Sequence, residues 1–427
     1  MLHTALLLSL LAGAAAASPN APNPEQAALA EAGELAVANA AWWGFNEEDA
    51  TDALQAAINA GAPTVVVPYM GAPWIVRPLR LRGGLEMVFE PGVLVLAKAG
   101  AFKGKGDSLF TANNVADLTL RGYGATLRMR HADYMTGAYE PAEWRMVIDL
   151  AGCARVTIEG LRLESSGGDG VYLGAGKVPY CKDVVIRDVV CHDNHRQGIS
   201  VIGAENLLIE NCVFSETGGT APQAGIDFEP NHAKERLVNC VVRNCRFENN
   251  KGAGVLLYTK HLSSESAPVS IVVEDCVMRG NEVGIAIGAA RDNGPGGEVV
   301  FRRCVVERPL HAGAYVYDKS AEAYTVAFED CHFKDTWRAP RRGGPNAPLL
   351  ISLRRDTIAK RFGGVRFGKC HVYDDEDRPA LVVENDTGDA PARKLHGMVF
   401  VHSPHKARAD YRHGEPEASD LRVVAAE

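Results

Sequence analysis

Six short segments of one kind punctuate the middle of the chain: GVYLG (170–174), GISVI (198–202), GIDFE (225–229), GVLLY (254–258), GIAIG (284–288) and GAYVY (313–317). Between them runs a second kind, a short apolar strand ending in a polar pair or a polar-Cys step: VTIEGLRL, VVIRDVVC, LLIENCVF, VVRNCRF, IVVEDCVM, VVFRRCVV and VAFEDCHF. Together they repeat with an imperfect period of roughly 25–35 residues, the range of solenoid architectures. No single unit is long enough to bury a face by itself. Stacked in parallel, about 4.8 Å per rung, the inward residues make one continuous core. The 427 residues are therefore expected to form one elongated domain.

The same alignment places the cysteines. Cys212, Cys245, Cys276, Cys304, Cys331 and Cys370 share one slot, which makes them small inward-facing core residues, expected mostly as free thiols, with adjacent rungs close enough for a disulfide. No CxxC pair of zinc-site spacing is present. Ahead of the rungs, Ala50, Leu54, Ala57 and Ile58 fall at helical spacing before Gly61, so a capping helix is expected there. The remaining divisions are a signal peptide over 1–17, a linker over 18–46, the solenoid with its cap over 47–402 and a polar tail over 403–427.

A helix followed by "WIVRPLRLRGGLEMVFEPGVLVLA" and then by the rungs resembles the pectate-lyase-like superfamily, over about Asp49 to Phe400. That resemblance implies an all-β fold: a single right-handed parallel β-helix with a short N-terminal capping helix.

Charge and the N-terminus narrow the partners. A formal net charge of −8, with no basic run interleaved with aromatics, argues against nucleic acid. "ALLLSLLAGAAAA" followed by Ser18 reads as a short apolar core and a small-residue cleavage site. No later stretch reaches the ~18 apolar residues of a membrane span. A secreted or periplasmic protein is expected, its oligomeric state left open.

Outward residues of equivalent slots form surface columns. Asp149, Tyr172, Ser200 and Asp227 share one; Gly174, Ile202, Glu229 and Tyr258 the next; Asp169, Gln197 and Ala224 precede the strands, with His195 and Arg196 just before Gln197. Further along, the same slots turn bland, as at Ala286 and Gly288. An isolated Asp on a solenoid is ordinarily solvated, and SSGGDG around Asp169 also suits a tight turn. Asp227 and Glu229 differ because residues i and i+2 of a strand share a face. Two adjacent carboxyls raise one another's pKa, so one stays protonated as an acid while the other remains a base. Glycoside hydrolysis uses such a pair.

Two finer resemblances follow. "GGDGVYLG" and "HRQGISVIG" look like consecutive segments of polygalacturonase-type glycoside hydrolases, with Asp169 and Gly198-Ile199-Ser200 matching, while Gly168 or Gly170 stands where that family has a second Asp. "HDNHRQGISVI" and "DFEPNH" are similar to coils of mannuronan epimerases and related uronate lyases; that resemblance implies Arg196 or a cation to neutralise a uronate carboxylate, with Tyr258, His195 or His232 as base and acid. A Ca2+ between Asp227 and Glu229 would serve the same end, although no dedicated calcium loop is present.

The expectation is an exported carbohydrate-active enzyme hydrolysing a polysaccharide, with no cofactor. Asp227, Glu229, Asp169, His195 and Arg196 are its catalytic candidates. Asp149, Tyr172, Gln197, Asn231, His232, Tyr258 and Lys260 are its substrate contacts, and the loop 128–145 is its wall. The alternatives are a uronate lyase or C5-epimerase, and a non-catalytic glycan-binding solenoid.

Overall fold

A typical repeat makes three strands, as in Cys181–Arg187, Val190–His192 and Gln197–Val201, and in coils such as Ala154–Glu164 the first two run on as one. Every one pairs in parallel with its equivalents one coil before and one coil after. The chain is thus a parallel β-helix. Twelve strands, from Leu79–Arg80 to Ala409–Tyr411, form one continuous sheet, and the other two strands of each coil form the remaining walls. The computed structural model describes residues 18–339, 346–355, 361–387, 391–412 and 414–427.

The repeat residues explain the geometry. Asn211, Asn244, Asp275 and Asp330 each precede a cysteine and take left-handed φ angles of 56°, 52°, 55° and 53°. Asn and Asp tolerate that region better than other side chains, so the polar-Cys step is a corner. The glycine slot answers to backbone crowding. A Cβ on Gly198 would stand 2.4 Å from the Gly225 carbonyl oxygen, and one on Gly225 2.7 Å from that of Gly254. Inside, Val171, Ile199, Ile226, Val255 and Ile285 stack in register and are fully buried. All ten cysteines are buried and free, the six aligned ones in the inward slot expected of them.

The ends are more ordered than expected. Helix α1 (Pro24–Glu31) begins on Asn23, whose side chain accepts from the Gln26 N–H, and Val37–Asn39 pairs with Thr64–Val67. Residues 18–46 therefore build the cap and are not a linker. Helix α2 (Thr51–Asn59) buries Leu54, Ala57 and Ile58 as its spacing predicts. At the other end, Ala409–Tyr411 and Arg422–Ala425 extend both sheets, so 403–427 completes the last coil and is not a tail. The expected signal peptide lies outside the described residues. Among those residues no helix is long and apolar enough to cross a membrane.

Candidate functional site

The surface columns form as read. Asp149, Tyr172, Ser200 and Asp227 are successive partners across the twelve-stranded sheet, and Asp169 pairs with Gln197 beside them. Ile226 and Phe228 point into the core, which sends Asp227 and Glu229 to the outer face together.

What covers them is new. Asp227 was expected on a surface column, yet it is 0% exposed. Its Oδ2 accepts a 2.9 Å hydrogen bond from Gln197 Nε2. Gln197 cannot turn away, because its Oε1 accepts from the Ala224 N–H at 2.7 Å. Arg196 Nη2 reaches Glu229 Oε2 at 3.2 Å, its Nε lies 3.8 Å from Glu143 Oε2, and Nη1 donates to Ser200 Oγ at 3.5 Å. Glu229 and Glu143 keep 27% of their side chains exposed. The solvent-facing acids are therefore Glu229 and Glu143, with Asp227 behind.

Asp169 is also 0% exposed, with the Ser200 hydroxyl and the Gln197 N–H as its hydrogen-bonding neighbours, and no donor reaches Asp227 Oδ1 among the described residues. Burial favours the neutral form of a carboxyl that its neighbours only weakly satisfy. Burial pushes Asp169 up to about 7 against the pull of Arg196, and burial pushes Asp149 up to about 6. Asp227 stands well above the ordinary range, through burial first and the neighbouring Glu229 second. Its carboxyl also meets that of Glu229, a contact that is attractive only with a proton between the two.

Several expected members lie elsewhere. His195 does not join the acids: its Nδ1 meets His131 Nε2 at 3.1 Å and its Nε2 meets Thr220 Oγ1 at 2.8 Å. Asn231 and His232 occupy an exposed turn where their backbone N–H groups donate to Glu235. Tyr258 stands one coil beyond Glu229 in its outward column and, with Lys260, lines a small pocket with Arg291, Tyr317, Asp318 and Arg355. Beside Glu229 the positive charge in the structure is Arg196. Among the described residues no three or more His, Cys, Asp or Glu side chains are grouped to hold a metal ion. Glu143 was not named, since it stands in a loop without periodicity; the aromatic and charged character of 128–145 was its one signal. The acid pair of the polygalacturonase pattern has no room here. A Cβ on Gly170 would meet the Gly198 oxygen at 2.7 Å, and one on Gly168 the Glu143 oxygen at 2.8 Å.

A family model described as "Right handed beta helix region" matches residues 144–294, the coils that carry this cluster. Over 202 residues the chain is 26% identical to the uncharacterized protein YclG of Bacillus subtilis (strain 168), covering 42% of this chain and 34% of that one. The chain thus spans about a third of the length of the curated relatives it matches. Among solved structures, the A-module of the Azotobacter vinelandii mannuronan C-5 epimerase AlgE6 superposes with a TM-score of 0.62, at 14% identity over 91% of this chain and 99% of the module. The Yersinia enterocolitica family 28 exopolygalacturonase gives 0.55, at 12% identity over 90% and 78%. These likenesses establish the fold, a right-handed parallel β-helix.

Proposed function

We propose that this protein is an exported carbohydrate-active enzyme that hydrolyses a glycan by carboxylate acid/base chemistry around Arg196. The observation that carries the reading is Asp227: a buried, proton-holding acid in contact with Glu229, which is partly exposed. Glu229 passes a proton to the leaving glycosidic oxygen and Asp227 resupplies it. Glu143, on another nitrogen of the same guanidinium, is the second accessible carboxylate, placed to activate water or attack directly. Asp149 and Asp169 are the reserve carboxyls. Superposition on a polygalacturonase and on a polysaccharide epimerase supports a glycan substrate. The lyase or epimerase reading has less support, because His195 turns toward His131 and Thr220 instead of the acids.

The test is a panel of neutral and uronate polysaccharides, read for new reducing ends and for the ultraviolet absorbance of unsaturated uronates. Reducing ends without that absorbance, lost in Asp227→Asn/Glu229→Gln, are expected. Absorbance growth, or activity surviving in the double variant, would overturn the proposal.

A further inference from the structure

His195 belongs to a chain of hydrogen bonds that the acid cluster does not use. Ser165 Oγ donates to Asp193 Oδ2 at 2.8 Å, and Asp193 Oδ1 lies 3.1 Å from His131 Nδ1. His131 Nε2 then meets His195 Nδ1, and His195 Nε2 meets the Thr220 hydroxyl. The local sequence is built for this. A Cβ on Gly219 would stand 2.1 Å from His195 Nδ1, so glycine there lets the 219–220 turn close over the ring.

A carboxylate oxygen of Asp193 accepts, so the tautomer that fits it carries hydrogen on His131 Nδ1. With His131 neutral, its bare Nε2 accepts from His195 Nδ1–H, and His195 Nε2 accepts from the Thr220 hydroxyl. Burial, with His131 and then Arg145 nearby, pushes His195 down to about 4. In this tautomer the Thr220 hydrogen is spent, and the lone pairs of its oxygen face a visitor.

Thr220 and His195 line a cleft of about 720 Å³. The loop that walls it presents Trp144 at 49% and Met135 at 60% exposure, with Tyr139 and Pro141 beside them. Arg145, fully buried, lies 5.2 Å from the Tyr134 ring centre and 5.8 Å from that of Tyr139, and donates to Phe102 and Glu140 carbonyls at 2.9 Å, which anchors the loop. Glu143 lines the same cleft and touches Arg196, so cleft and acid cluster adjoin. The lysine at the rim, Lys105, is paired with Glu140 at 3.0 Å. Among the described residues the cleft lining offers apolar faces, an acid, a paired lysine and an oriented acceptor.

We infer that this cleft is a subsite for an uncharged sugar unit, whose ring packs on Trp144 and whose hydroxyl donates to Thr220, with Asp193, His131 and His195 as positioning residues. Sugars present an apolar C–H face and a rim of hydroxyl donors, which is the complement of this lining. The inference rests on the proposed glycan-acting role but names what that role leaves open, the charge of the bound unit.

The experiment titrates the intact protein with cellohexaose, mannohexaose, xylohexaose and hexagalacturonate, following tryptophan emission with Trp144→Phe to assign the signal. At least one neutral hexasaccharide should perturb Trp144 and bind more tightly than hexagalacturonate. Thr220→Val should weaken that binding about tenfold, and Thr220→Ser should restore it to within about twofold. On a cleaved substrate, Thr220→Val should raise KM and leave kcat. Unchanged binding in Thr220→Val, tighter binding of hexagalacturonate, or no binding of any probe would overturn the subsite. Binding retained by Asp227→Asn/Glu229→Gln, with no turnover in any variant, would sink the proposed hydrolysis and leave the subsite standing.

Discussion

Two walls of the same helix treat their carboxylates in opposite ways. Away from the site, Glu159 is held by Arg121 and, at 2.7 Å, by Arg187. Glu329 receives Arg302 at 2.9 Å and Arg366 at 2.8 Å, and Arg303 grips Asp275 at 2.7 and 2.6 Å. Burial would push Glu159 up, but the hydrogen bonds from Arg187 and Arg121 outweigh it and hold the carboxyl below the ordinary range. Around Arg196 the proportions reverse: Asp169, Asp227, Glu229 and Glu143 share that one guanidinium, and two of the four are buried beyond its hydrogen bonds. A polar residue on a solenoid is decoration when the next coil supplies its counter-charge. It becomes chemistry where the supply stops.

The largest expected difference between the walls is in activity. Glu229→Gln should lower kcat/KM about 10³-fold, the scale of lost acid/base catalysis, while Glu159→Gln should leave it within about twofold. Steady-state kinetics on a cleaved polysaccharide measures both.

Stability should separate the walls next. Arg196→Met strands partly buried carboxyls and is expected to cost about 3 kcal/mol in urea unfolding. Arg187→Met removes an exposed partner and should cost under about 1 kcal/mol. Equal losses would erase the distinction.

A smaller effect appears in the pH dependence of stability, where the walls have opposite signs. Asp169, near 7 in the fold against an ordinary 3.8, keeps a proton that the unfolded chain has released. Its contribution is complete below about pH 4 and is lost as the pH rises through 7. Asp149, near 6, and Asp227 act in the same direction. Glu159, held low, contributes above its ordinary pKa and is lost in acid. Between pH 5 and 7 Asp169 alone should therefore cost the fold on the order of 2 kcal/mol, and Asp169→Asn should reduce the slope of urea-unfolding midpoints with pH.

Much of this was legible because a solenoid converts sequence spacing into spatial columns. The Gly slot, the Cys slot and the column Asp149–Tyr172–Ser200–Asp227 all carried over, since parallel register leaves an aligned residue one place to go. Corners and loops have no such rule. His195 sits just before a strand, and its side chain turned toward His131 instead of Asp227. Glu143 reaches Arg196 from a loop whose path no periodicity encodes. The cap over residues 18–46 did carry local signals, Asn23 as N-cap and Pro24 opening the helix, but a Pro/Asn-rich stretch reads equally as a linker. Burial of Asp227 depends on neighbours from several coils at once, which single-strand patterning cannot show.

The central claim is that the two buried carboxyls beside Arg196, Asp169 and Asp227, hold protons where those of the opposite wall do not. A ¹³C-carboxyl titration of aspartate-labelled protein tests it, with resonances assigned by Asp169→Asn, Asp227→Asn and Asp275→Asn. At pH 6, Asp169 and Asp227 should remain protonated while Asp275, held low by Arg303, is fully ionised. Titration of all three together near the ordinary aspartate value would contradict the account.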